Sequence, residues 1–120
     1  MRADVRDVVA YIAGAYLSKR NASSVYSYEK NGYINVSGEI TNSSISVYDY
    51  RINKHISGYK NNNDFSLFHY EYRKHINIRF NGQMFEGYDY DRNNHFSGSV
   101  KGNAVSLYDY ETMKHYDYAV

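Results

Sequence analysis

The sequence predicts a mainly β fold with one N-terminal α-helix, and three observations carry that prediction. Residues recur at a period of twenty from Val25 to the end of the chain. Each repeat holds two runs in which apolar and polar residues alternate, as strands with one buried face require. The first twenty residues lack this alternation and show an apolar stripe of helical period instead. Proline is absent, and sixteen tyrosines among many Val, Ile and Ser residues favour extended structure over disorder.

The helix comes first. Val5, Val8, Val9, Ile12, Ala13, Tyr16 and Leu17 fall at i, i+3, i+4, i+7, i+8, i+11 and i+12. Asp4 and Asp7 suit the positive end of the helix dipole, Lys19 and Arg20 the negative end, and Asn21 can close the last turn. The spacing predicts an amphipathic helix from Ala3 to Arg20 that covers or caps a core. It is too short and one-sided to span a bilayer, and its early aspartates spoil a targeting leader. No membrane partner is expected, and a cytoplasmic location is favoured.

Five repeats fill residues 25–120, so the chain reads as a single domain, 1–120. One column holds Tyr28, Tyr48, Phe68, Tyr88 and Tyr108. Two residues on stand Lys30, Tyr50, Tyr70, Tyr90 and Tyr110. A third column holds Asn35, His55, His75, His95 and His115. Tight turns are expected at Asn31-Gly32, Asn61-Asn62, Asn81-Gly82 and Gly102-Asn103, whose residues tolerate positive φ. Four-residue turns such as Arg51 to Lys54 and Glu111 to Lys114 separate the remaining strands.

Parity then fixes the pairing. Apolar residues of the first strand in each repeat are odd-numbered (Ile45, Val47, Phe65, Leu67, Phe85, Val105, Leu107). Those of the second are even-numbered (Val36, Ile40, Ile56, Ile76, Ile78, Phe80, Phe96, Val100). Opposed residues of an antiparallel pair share a face, so odd meets even only when every turn has an even number of residues. Turns of two and four satisfy this. The expected architecture is an antiparallel hairpin meander of about ten strands, open, rolled or closed. The alternative is a β-solenoid capped by the helix. A closed form would take the helix as plug or lid, with glycines 38, 58, 87 and 98 leaving room inside for a small apolar ligand.

With the apolar side inward, the outer face presents Tyr48, Tyr50, Tyr70, Tyr88, Tyr90, Tyr108 and Tyr110 with His55, His75, His95 and His115, the candidate binding residues. A four-residue turn at Arg51 to Lys54 sets Tyr50 opposite His55, and likewise Tyr70/His75, Tyr90/His95 and Tyr110/His115. Such pairs can simply stabilise a solvated sheet, at roughly 0.2–1 kcal/mol each. Area argues for more, because aromatic rings bury about 150–250 Å² apiece and monomers rarely leave so large a patch bare. The expectation is a non-enzymatic homo-oligomer or protein-interaction module, with a glycan- or small-ligand-binding module as the alternative. A self-covered Tyr/His interface would loosen in mild acid, where imidazoles gain charge.

Other chemistries find less support. Lys plus Arg total 14 against 13 for Asp plus Glu, a net charge of +1, so nucleic acid is not an expected partner. Cysteine is absent, which excludes disulfides and thiol chemistry. Histidines on every second strand lie about 9.6 Å apart, too far to share one metal ion. Asp49, Asp89 and Asp109 alternate with the tyrosines and therefore point away from the histidines, which breaks any Asp-His relay within a repeat. No metal, cofactor or catalytic residue is expected.

Overall fold

A computed structural model describes residues 1–120. Helix α1 (Ala3–Ser18) precedes ten strands: β1 (Ser24–Ser27), β2 (Gly32–Ile40), β3 (Ser44–Asp49), β4 (Lys54–Asn61), β5 (Asp64–His69), β6 (Lys74–Asn81), β7 (Met84–Asp89), β8 (Asn94–Lys101), β9 (Ala104–Asp109) and β10 (Lys114–Ala119). Every strand pairs antiparallel with the next, and β1 also pairs with β10, so the meander closes into a barrel. Consecutive strands lie side by side in one wall, which is the hairpin arrangement and not the coil of a solenoid.

The parity argument holds. Ile45, Val47, Phe65, Leu67, Phe85, Val105 and Leu107 are buried, as are Val36, Ile56, Ile76, Ile78, Phe96 and Val100. Between its tyrosines the outer wall carries serines, asparagines and charges, while the apolar residues line the inside. The turns sit one residue away from some expected places. The two-residue turns are Asn62-Asn63, Gly82-Gln83 and Gly102-Asn103, because Asn61 pairs with Asp64, Asn81 with Met84 and Lys101 with Ala104. Positive φ at the first turn residue alone (61°, 63° and 62°) matches a type II′ turn. At the other end the loops are residues 50–53, 70–73, 90–93 and 110–113, since Asp49 pairs with Lys54 and its equivalents do likewise. Each of these loops ends on a left-handed residue: Asn53, Arg73, Asn93 or Met113. Asn31 closes the same kind of loop, residues 28–31, rather than a tight turn.

Helix α1 is the plug. Eight strands make a barrel whose side chains just fill it, and ten leave room for more. A 16-residue helix, about 24 Å long, occupies that room. It is buried on every side from Val5 to Ala15, including Asp7, Ala10 and Gly14 on the face away from the apolar stripe. The one-sided helix of the sequence reading is therefore corrected: a wall surrounds it, so no face stays wet. It also stops two residues short of Arg20, with Lys19 in the left-handed conformation. Helix and wall share one cluster of 26 buried apolar residues.

The inward glycines sit where a neighbouring strand or ring approaches the backbone closely. Gly87 faces Phe96 and Gly98 faces Phe85 across β7 and β8. A Cβ at Gly87 would stand 2.4 Å from the Phe96 ring, and one at Gly98 would stand 2.4 Å from the Phe85 ring. Each ring thus lies over the bare backbone of the opposite strand, an aromatic cover for a strand bent sharply enough to need glycine.

Candidate functional site: the aromatic belt and the polar end of the barrel

The four-residue loops decide where the outer aromatics stand. With Asp49 opposite Lys54, the residue facing His55 is Tyr48, not Tyr50. The other pairs shift equally: Phe68 faces His75, Tyr88 faces His95 and Tyr108 faces His115. Tyr50, Tyr70, Tyr90 and Tyr110 lie in the loops and pack edge-on against the strand aromatic instead. Ring centroids are 4.9 Å apart for Tyr48 and Tyr50, and 4.7 Å for Tyr48 and His55. The other three units repeat this to within a few tenths of an ångström. Loop tyrosine, strand aromatic and histidine therefore form one ladder per hairpin.

A fifth ladder escaped the sequence columns. Tyr26 faces Tyr33, and their rings are 4.9 Å apart, with Tyr28 edge-on to Tyr26 at 5.0 Å. Tyr26, Tyr28 and Tyr33 thus stand where Tyr48, Tyr50 and His55 stand in the next hairpin, two residues off the twenty-residue register. Strand β2 absorbs the difference by being longer. Asn35 still matches His55 in one respect: its carbonyl accepts the N–H of Tyr50, as that of His55 accepts the N–H of Tyr70. The ladders form a belt around the outer wall at the loop end.

Shallow grooves lie between neighbouring ladders. One is walled by Tyr48, Tyr50 and His55 over Ser37 and Ser46. The next holds His55, Phe68 and Tyr70 over Ser57. Ser37 and Tyr50 share a hydroxyl–hydroxyl hydrogen bond of 2.9 Å, and Ser97 and Tyr110 one of 3.4 Å. All the sequence-predicted binding residues reach this belt. No group of three His, Asp or Glu side chains converges tightly enough to hold a metal ion.

Inside the same end lies a polar cluster that the columns contained but did not explain. Asp49, His69, Asp89 and Asp109 occupy one inward position in successive hairpins, all buried. Each accepts the N–H two residues on, from Arg51 (3.0 Å), Glu71 (3.3 Å), Asp91 (3.0 Å) and Glu111 (2.9 Å) respectively, which fixes the start of its loop. An Asp directly before three of these four loops, with His69 before the fourth, was the available signal. The same residues meet the first turns of α1. Asp109 accepts from Arg6 at 3.2 Å and from the Met1 ammonium at 3.1 Å. Asp7 accepts from Arg51 at 2.9 Å, from the Tyr118 hydroxyl at 2.9 Å and from Lys30. Asp4 accepts from Tyr72 at 2.6 Å. Burial, then Asp7, raises the Tyr118 phenol well above its usual range. Burial and the Asp4 bond push Tyr72 up to about 12. Hydrogen bonds from Arg92 and then the terminal ammonium hold Glu111 down at about 2. The histidines of the belt and the aspartates of this cluster occupy opposite sides of the wall.

Asp89 is the ill-matched member. One carboxylate oxygen takes the Asp91 N–H, while Oδ2 is buried with no partner. Burial raises its pKa above the ordinary 3.8. A raised carboxylate pKa favours the fold below the ordinary value, and that benefit disappears as pH rises through the folded value. Asp89→Asn, which keeps the Oδ1 acceptor, is therefore expected to stabilise the protein at pH 7 by on the order of 1 kcal/mol. Urea unfolding at pH 7 and pH 3.5 checks this, because the gain should vanish at the lower pH.

Comparison with protein-family models, with curated proteins and with solved structures finds no match to the chain.

Proposed function

We propose that the chain is a non-enzymatic interaction module that works through its outer belt, contacting protein partners or further copies of itself at several equivalent units. One observation carries this reading: a single exposed aromatic unit recurs five times around a closed wall. The loop tyrosines Tyr28, Tyr50, Tyr70, Tyr90 and Tyr110 remain 46% to 57% exposed, and Tyr33 reaches 75%. So much aromatic surface is costly to leave in water and valuable to cover. Closure leaves free strand edges only at the β1–β10 seam, so association around the rest of the wall has to run through side chains instead of added strands. A convex belt of equivalent units suits several weak contacts acting together.

Light scattering across a concentration series tests the reading. The expected mass exceeds the 14.0 kDa chain and rises with concentration. It should return to the monomer value in the double variant Tyr50→Ser/Tyr90→Ser. A constant monomer mass in the parent protein removes self-association.

The grooves favour a second reading, a glycan-binding module. Tyrosine walls and Ser or Asn floors offer the mixed apolar and hydroxyl contacts that sugar rings use.

A further inference from the structure

We propose that the two grooves sharing Arg73 form one binding site for a short anionic saccharide, an inference that rests on the belt being a recognition surface. The first groove runs from Lys54 and His55 over Ser57 to Tyr70 and Arg73. The second runs from Arg73 and His75 over Asn77 to Tyr90. Their volumes, about 730 and 490 Å³, suit a few sugar rings rather than a folded partner. Neither has an acidic residue in its lining, whereas the next groove contains Asp64 and Glu86 beside Arg79.

Cations without a nearby carboxylate in the lining set this place apart. Arg2, Arg6, Lys30, Arg51, Arg79 and Arg92 each face a carboxylate. Arg73, Lys54 and Lys74 face none. Of the carboxylates in the adjoining loops, Asp91 pairs with Arg2, and Glu71 makes no ion pair with Arg73. Arg73 also holds the left-handed loop position, with φ 55°, where three other loops place asparagine. That conformation costs an ordinary L-residue roughly 1–2 kcal/mol. Met113 shows that the position accepts a long side chain, so charge is what distinguishes residue 73. Its guanidinium has no partner within the chain, and an unpaired planar cation between two tyrosine-walled grooves fits a carboxylate or sulfate carried on a sugar. A phosphodiester chain needs a longer cationic track, and here the track ends at Asp64 and Glu86.

Titration of the full chain with a heparin-derived tetrasaccharide, followed by amide chemical shifts, tests the site. Cellotetraose and an octathymidylate serve as comparison ligands. The expected result is shifts at His55, Ser57, Tyr70, His75, Asn77 and Tyr90, with affinity falling about tenfold in Arg73→Asn. Asparagine suits the left-handed position, so this variant should melt no lower than the parent. Unchanged affinity in Arg73→Asn overturns the proposal, as does tighter binding of the oligonucleotide. Equal binding of cellotetraose also overturns it, while leaving the belt as a neutral-glycan surface. No saccharide binding at all overturns it too, and belt-dependent oligomers in light scattering would then leave the broader reading standing.

Discussion

Asp109→Ala is expected to lower stability by about 3–5 kcal/mol, the cost of leaving a buried charge without its partner. The Asp109 carboxylate is fully buried and receives Arg6 at 3.2 Å, the Met1 ammonium at 3.1 Å and the Glu111 N–H at 2.9 Å. Arg6 is itself buried, lies over the Tyr116 ring at 3.6 Å, and would keep the Met1 carbonyl at 3.1 Å and Glu29, half-exposed, at 3.5 Å. Since a domain of this size has a total stability of about 5–15 kcal/mol, the loss should be plain in urea unfolding. Asp91→Ala is the comparison. Its pair with Arg2 is nearer the surface, and its removal should cost under about 1 kcal/mol. Equal losses in the two variants would show that burial of the Asp109 cluster does not set its weight.

Gly98→Ala is expected to cost about 3 kcal/mol, at the upper end for an overpacked core. The added methyl would sit 2.2 Å from the Ser106 carbonyl oxygen on β9 and 2.4 Å from the Phe85 ring. The ring has some freedom to turn, but the carbonyl belongs to the paired strand and moves only if β8 and β9 separate. The equivalent substitution at Gly102 meets nothing within 4 Å but lies at φ 62°. Its penalty is therefore the smaller conformational one, about 1 kcal/mol. Thermal melting of the two variants separates crowding from backbone preference.

The wall was legible in the sequence because alternation and turn parity are local properties. Ile56 opposite Val47 follows once odd must face even. Closure was open because nothing in a twenty-residue unit states how many units complete a circle. The plug was half legible: Val5, Val8 and Ile12 announced a buried face, but only a surrounding wall buries Ala10 and Gly14 as well. The pairing within the candidate site was shifted by a single loop boundary. Lys54 looks like turn chemistry, yet Asp49 starts the loop by taking the Arg51 N–H and Asn53 ends it in the left-handed region, which returns Lys54 to the strand. Tyr26 was missed because β2 carries two residues more than the period allows.

The narrow meeting of β1 and β10 bears on how the molecule assembles in time. Neighbouring strands elsewhere are joined by short turns and can zip locally in about 1–10 μs each. The barrel shuts through only two registered residue pairs, Tyr26 with Ala119 and Ser27 with Tyr118, from opposite ends of the chain. Bringing such distant segments together carries most of the chain-closure entropy, so it should limit the rate. Hydrogen exchange should accordingly be fastest at this seam, the place where the finished molecule opens most readily.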